Sequence, residues 1–215
     1  MSFLSQWVAA SQNLVQHLWP HNEDLTIKEL PRFGAEEWEK YYAIKILDAP
    51  PVPETLISAL DSPCPYWSDF KVKDTHLLCL IPQGLTSKNL CDQSVKATIG
   101  IPLDDLYVPD HSYWILITKR ILPDSRKTSF DAMQDILQGK GYSVPTLLEA
   151  LSATLAVRKS NNFEIYPSPR GYTKCQEQYA GFHLAVGSEE YSQAGIMTND
   201  WNNHSGVAAV RKALP

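Results

Sequence analysis

The stretch "VPTLLEALSATLAVRKSN", Val144–Asn161, sets the reading of this chain. Pro145 suits a position in the first turn of a helix, and Thr146 and Glu149 have the spacing of a capping box. Arg158 and Lys159 stand at the C-terminal end, where the helix dipole favours cations. Only short strand-like pieces follow: "FEIYP", "YTKCQEQ", "FHLAVGS", "AGIMTND" and "GVAAVRK". Gly, Pro, Asn and Ser separate them.

Upstream the order is different. "GAEEWEKYYAIKIL", Gly34–Leu47, reads as a helix, acidic at its front and with Lys40 and Lys45 towards its end. "PETLISAL" is a short helix, and "DSPCPYW" a proline-broken turn. "THLLCLIP" reads as a buried strand stopped by Pro82, and "SYWILITKRIL" as the clearest strand of the middle section. Residues 88–110 read as irregular. "SFDAMQDILQGKG" is a helix with Gly139 and Gly141 as stop signals. Helices thus dominate the first half and strands the second. That segregation predicts an α+β fold with a short-stranded antiparallel sheet in the C-terminal half, rather than a parallel βαβ sheet.

In "MSFLSQWVAASQNLVQHLWP" the apolar residues Phe3, Leu4, Trp7, Val8, Leu14, Val15, Leu18 and Trp19 lie along one side of a helix that Pro20 ends. This predicts residues 1–33 as an N-terminal helix and linker, with 34–215 as a single α+β domain. The stripe would dock on the domain's own core or on another chain, which gives a route to an oligomer. The segment lacks a basic leader region, and Gln6, Ser11, Gln12 and Asn13 interrupt its apolar run, so it does not read as a signal peptide. No stretch approaches the ~18 apolar residues of a membrane span. The expectation is a cytoplasmic protein, or one delivered by a route independent of a signal peptide, with no membrane partner.

Of the 215 residues, 44% are hydrophobic and 20% charged, which is ordinary globular usage. The formal net charge of −5 argues against a dedicated nucleic-acid binder, which needs a basic face to displace counterions. Arg120, Arg126 and Lys127 are close in sequence, but Asp124 and Asp131 interrupt them, and the bland reading is a solvated loop. Cys64, Cys79, Cys91 and Cys175 include no CxxC pair, so buried free thiols are the simplest reading.

Several catalytic and metal patterns fail on inspection. His17 and His21 have zinc-like helical spacing, but Pro20 lies between them, and no metal site is expected. "SDFK", Ser68–Lys71, has the spacing of a serine–lysine pair without its companion motifs. Cys64, His76 and Asp74 offer a nucleophile, a base and an orienter, yet Cys64 sits between two prolines and His76 opens an apolar strand. GxGxxG, P-loop, HExxH and GxSxG motifs are missing from the sequence, so no cofactor is expected.

"KILDAPPVPETLISALDSPCPYWSDFKVKDTHLLCLIP", "SYWILITKRILPDSRKTSFDAMQ", "YSVPTLLEAL", "YTKCQEQ" and "GVAAVRK" together resemble a family of bacterial proteins found chiefly in chlamydia-related bacteria that live inside host cells. The resemblance runs from about Glu37 to Lys212. It implies no activity, cofactor or catalytic residue, and by analogy it favours an interaction role. The C-terminal half is also similar in its order of elements to C-type-lectin-like and formylglycine-generating-enzyme-like domains. There, irregular loops on a small twisted sheet do the binding. The chain departs from that pattern in having no clear catalytic cysteine pair and no calcium-ligand motif.

The resemblance directs attention to "NDWNNHS", residues 199–205. If "GVAAVRK" pairs into a sheet, this segment is tethered by "AGIM" before it and "GVAAV" after it. Asn199, Asp200, Asn202 and Asn203 suit a turn. Trp201 either folds back on the core or offers area to a partner. Tyr191 and His204 would join it. The expected binding residues are therefore Tyr191, Asn199, Asp200, Trp201, Asn202 and His204. The leading expectation is a non-enzymatic interaction module for a protein or glycan. The rival is an enzyme of unrecognised class with a pocket between the helical half and the sheet, tested first at Cys64, His76, Cys175 and His183. An assembly component using the N-terminal stripe is a third.

Overall fold

The computed structural model describes residues 32–97, 103, 106–161, 166, 171–189, 193–198 and 205–213; for 93–97, 158–161, 188–189, 193–194 and 198 it describes the backbone alone. The N-terminal stripe, the histidines at 17 and 21, and most of "FEIYP" lie outside these residues.

The described chain is α+β, with two sheets. Arg32 and Phe33, placed by sequence at the end of the linker, form β1. The first sheet has the order β1–β2–β4–β9, with β2 at His76–Ile81, β4 at Tyr113–Thr118 and β9 at Val210–Lys212. Every residue of β2 is buried, so the run "HLLCLI" is continuous rather than alternating. The second sheet has the order β3–β7–β6–β5–β8. Its members are β3 (Val95–Ala97), β5 (Tyr172–Tyr179), β6 (Phe182–Glu189), β7 (Gln193–Thr198) and β8 (Ser205–Gly206). The sheets are mixed: β5–β6 and β6–β7 are antiparallel, while β3–β7 and β5–β8 are parallel.

Six helices are described: α1 (Ala35–Tyr42), α2 (Glu54–Leu60), α3 (Val72–Thr75), α4 (Ser87–Ser94), α5 (Phe130–Gln138) and α6 (Leu147–Asn161). The helix α1 stops at Tyr42, short of the expected Leu47, because Ala43 turns left-handed at φ 54°. The segment read as irregular, 88–110, contains most of α4 and all of β3. Its helix has neither an acidic first turn nor a basic last turn, which removes the end signals that mark helices in sequence.

The helix α6 is central among the described residues. It packs against β2 of one sheet, against β5, β6 and β7 of the other, and against α4. From Leu147 to Val157 every side chain is buried, polar ones included. A helix between two sheets needs no polar face, so its sequence lacks the one-sided stripe of a surface helix. Burying each of its leucines contributes roughly 1.5–3 kcal/mol. The N-terminus of α6 is closed as the sequence predicts. Thr146 N–H donates to Glu149 Oε2 at 2.8 Å, and Glu149 N–H donates to Thr146 Oγ1 at 3.2 Å. A distant residue completes the closure, since Leu147 N–H donates to Glu177 Oε2 of β5 at 2.7 Å.

Aromatic residues of α1 fasten it to this centre. Trp38 Nε1 donates to Leu80 O at 2.7 Å, and Tyr42 Oη donates to Leu155 O at 2.9 Å. At the far side, β5 and β6 join through a two-residue turn in which Ala180 (φ 52°) and Gly181 (φ 83°) are both left-handed. That is the twist a tight hairpin requires.

Candidate functional site

The C-terminal segment "GVAAVRK" forms two short strands rather than one. Ser205 and Gly206 pair in parallel with Tyr172 and Thr173 of the second sheet. Residues Val210, Arg211 and Lys212 pair with β4 of the first. Between them Val207, Ala208 and Ala209 are fully buried and carry the chain from one sheet to the other. Their amides are satisfied by side chains: Val207 N–H by Ser125 Oγ at 3.0 Å, Ala208 N–H by Thr173 Oγ1 at 2.8 Å and Ala209 N–H by Thr118 Oγ1 at 3.0 Å. Buried amides demand such partners.

The predicted binding residues Tyr191, Asn199, Asp200, Trp201, Asn202 and His204 lie outside the described residues. Their anchors do not. Thr198 is paired with Leu184 at the end of β7, and Ser205 with Tyr172 at the start of β8. These two strands stand three places apart in one sheet, a lateral separation of about 14 Å.

The second anchor rests on the loop between β4 and α5. A Cβ added at Gly206 would stand 2.5 Å from Ser125 Oγ and within 3.2 Å of Arg126 Cγ, so only glycine permits this approach. The loop itself is firmly held. Thr118 Oγ1 donates to Arg120 O at 2.9 Å, Leu122 N–H donates to Val207 O at 2.9 Å, and the buried Ser125 Oγ donates to Leu122 O at 2.8 Å. Asp124 takes a left-handed conformation at φ 57°, and its carbonyl accepts from Lys127 N–H and Thr128 Oγ1. The result is a cavity of about 460 Å³ lined by Arg120, Leu122, Asp124, Arg126 and Lys127, among others. Arg120, Asp124, Arg126 and Lys127 are all exposed there. This exposure fits the reading of these cations as part of a solvated loop. Partial burial draws the Arg120 pKa below its ordinary value.

The candidate catalytic residues are placed differently. Thr75 Oγ1 lies 3.3 Å from Cys64 Sγ and 2.9 Å from His76 Nδ1, so the thiol and the imidazole share one neighbour. Asp74 does not orient the ring, because its carboxylate accepts from Lys71 N–H at 2.9 Å. The Val72 carbonyl, 3.2 Å from Nδ1, takes that place. Cys64 and His76 are both buried, and burial pushes the His76 pKa down to about 4. Elsewhere, His183 Nδ1 lies 3.0 Å from the carbonyl oxygen of Cys175 rather than its thiol, and the ring stacks on Phe130 at 3.6 Å. Cys175 is fully buried, which raises its pKa well above the ordinary thiol value. An accessible thiolate is what nucleophilic attack requires, and these thiols lack access. In the "SDFK" stretch, Ser68 donates to Asp69, and Lys71 pairs with Asp61 at 3.8 Å. Among the described residues no group of three or more His, Cys, Asp or Glu is placed to hold a metal.

One charged cluster escaped sequence reading altogether. Glu149 is fully buried, yet its Oε1 accepts from Tyr113 Oη at 2.9 Å and pairs with Lys212 Nζ at 2.7 Å. Burial and the adjacent Glu149 raise the Tyr113 phenol. Burial likewise raises Glu177. This cluster ties β4, α6 and β9 together at the capped end of the central helix.

Comparison with family models, curated proteins and solved structures finds no match for this chain. None of the described helices is long and apolar enough to cross a membrane.

Proposed function

We propose that this protein is a non-enzymatic interaction module that holds a protein or glycan partner through its C-terminal segment around residues 199–204. The observation that carries this reading is the tethering of both ends, Thr198 in β7 and Ser205 in β8, within one hydrogen-bonded sheet. A tether of this kind lowers the ordering cost of binding. The residue types in between, Asn199, Asp200, Trp201, Asn202 and His204, supply adaptable hydrogen bonds and rigid aromatic area. The resemblance to proteins of bacteria that live inside host cells favours a host-derived partner, by analogy alone.

The test is Trp201→Ala in the full chain, with defined glycans and a displayed peptide library as probes. Expected is at least tenfold weaker capture of whichever probe binds wild type, with an unchanged melting temperature. Loss of roughly 3 kcal/mol or more of stability would mean the indole belongs to the core and would remove the reading. Failure of wild type to bind either class of probe would also overturn it.

A further inference from the structure

We infer that Tyr66 Oη, Tyr142 Oη and His76 Nε2 together hold one internal water molecule. All three atoms are shut off from solvent, and none has a hydrogen-bond partner among the described residues. Buried polar atoms without a protein partner are as a rule met by ordered water. This inference stands apart from the reading of residues 199–204.

The three side chains form one group, although they are distant in sequence. The Tyr142 ring lies against both others, with its centroid 5.4 Å from that of Tyr66 and 5.6 Å from that of His76. They also share neighbours. The Cys64 thiol acts electrostatically on both phenols, and Arg211 acts on His76 and Tyr142. His76 and Arg211 stand on one face of the first sheet, because their partners on β4, Thr118 and Leu116, are two residues apart. Tyr66 packs against the apolar cluster that contains Tyr142, Leu137 and Val144.

Chemistry selects the ligand. In the neutral His76 ring the proton sits on Nδ1, facing the Val72 carbonyl, so Nε2 presents a lone pair. That lone pair repels an anion and calls for a donor. Burial raises both phenols above their ordinary value, so each keeps its O–H and calls for an acceptor. A cation does not accept from them, and cations already stand near. Lys119 and Arg211 act on His76, and Lys140 Nζ lies 4.7 Å from the Tyr66 ring centroid. The enclosure of all three atoms restricts the ligand to a very small molecule. Water meets each condition, donating to Nε2 and accepting from the two phenols. Three hydrogen bonds are the usual number for an internal water.

The experiment is a crystal structure of the full chain at about 1.5 Å, with urea unfolding of wild type, Tyr66→Phe, Tyr142→Phe and the double variant. Expected is one ordered water within about 3.2 Å of all three atoms. Each single variant should raise the unfolding constant by about threefold or more. The double variant should raise it by less than the product of the two, because both phenols act through the same water. A buried hydroxyl that bonds to nothing gives the opposite sign, since its removal leaves the unfolding constant unchanged or lowers it. Tyr142→Phe also removes a neighbour of Arg211, so Tyr66→Phe decides the sign. No density at that position, an unfolding constant for Tyr66→Phe no higher than that of wild type, or strictly multiplicative effects overturn the inference.

Discussion

Lowering the pH from 7 to 5 should cost this fold about 2 kcal/mol through His76 alone. His76 is 1% exposed at the start of β2, between Thr75 and the Tyr142 ring, whose centroid lies 5.6 Å away. Its Nδ1 has the Val72 carbonyl as acceptor, which fixes the proton there in the neutral ring, and its buried Nε2 has no hydrogen-bond partner among the described residues. Burial, with smaller contributions from Lys119 and Arg211, pushes its pKa from 6.5 down to about 4. The folded value lies below the unfolded one. As pH falls, the unfolded chain therefore takes up a proton first, and stability is lost between about pH 6.5 and 4. The full shift corresponds to roughly 3 kcal/mol at 1.36 kcal/mol per pKa unit. By pH 5 about 2 kcal/mol of that has been spent. The assay is urea unfolding followed by tryptophan fluorescence at pH 7 and pH 5, for wild type and His76→Asn. Asparagine keeps a donor near the Val72 carbonyl but does not titrate. Wild type should lose about 2 kcal/mol more than the variant over this interval, whatever the carboxylates contribute to both. Equal losses would refute the argument and mean that the buried ring does not resist protonation.

Two further predictions concern stability. Lys212→Met removes the ammonium 2.7 Å from the buried Glu149 carboxylate, and the partial exposure of the lysine limits the cost to roughly 1–2 kcal/mol. Glu149→Gln on that background should recover part of the loss, as a double-mutant cycle in denaturant would register; full additivity would mean that the two groups do not interact. Gly206→Ala places a methyl group against Ser125 and Arg126 and should cost roughly 1–3 kcal/mol in thermal unfolding. An unchanged melting temperature would mean that the loop yields freely.

The sequence by itself determined the elements whose signals are local. The capping box of Thr146 and Glu149, the apolar run "HLLCLI" and the glycines after α5 each carry their own chemistry, so the α+β class follows from them. The tethering of "NDWNNHS" was also legible, because apolar strand-like pieces flank a polar stretch, and Thr198 and Ser205 are both paired in the second sheet. Tertiary structure decided what depends on neighbours distant in the chain. It divided "GVAAVRK" between two sheets, since Ser125, Thr173 and Thr118 supply acceptors for the amides of Val207, Ala208 and Ala209. It brought Lys212 to Glu149 across 63 positions of sequence, and it made the buried carboxylate tolerable. The helix α6 joins both lessons. Its capping box was written in local residues, whereas the burial of Leu147–Val157 on every side follows from two sheets closing around them, and no periodicity in that stretch encodes the enclosure.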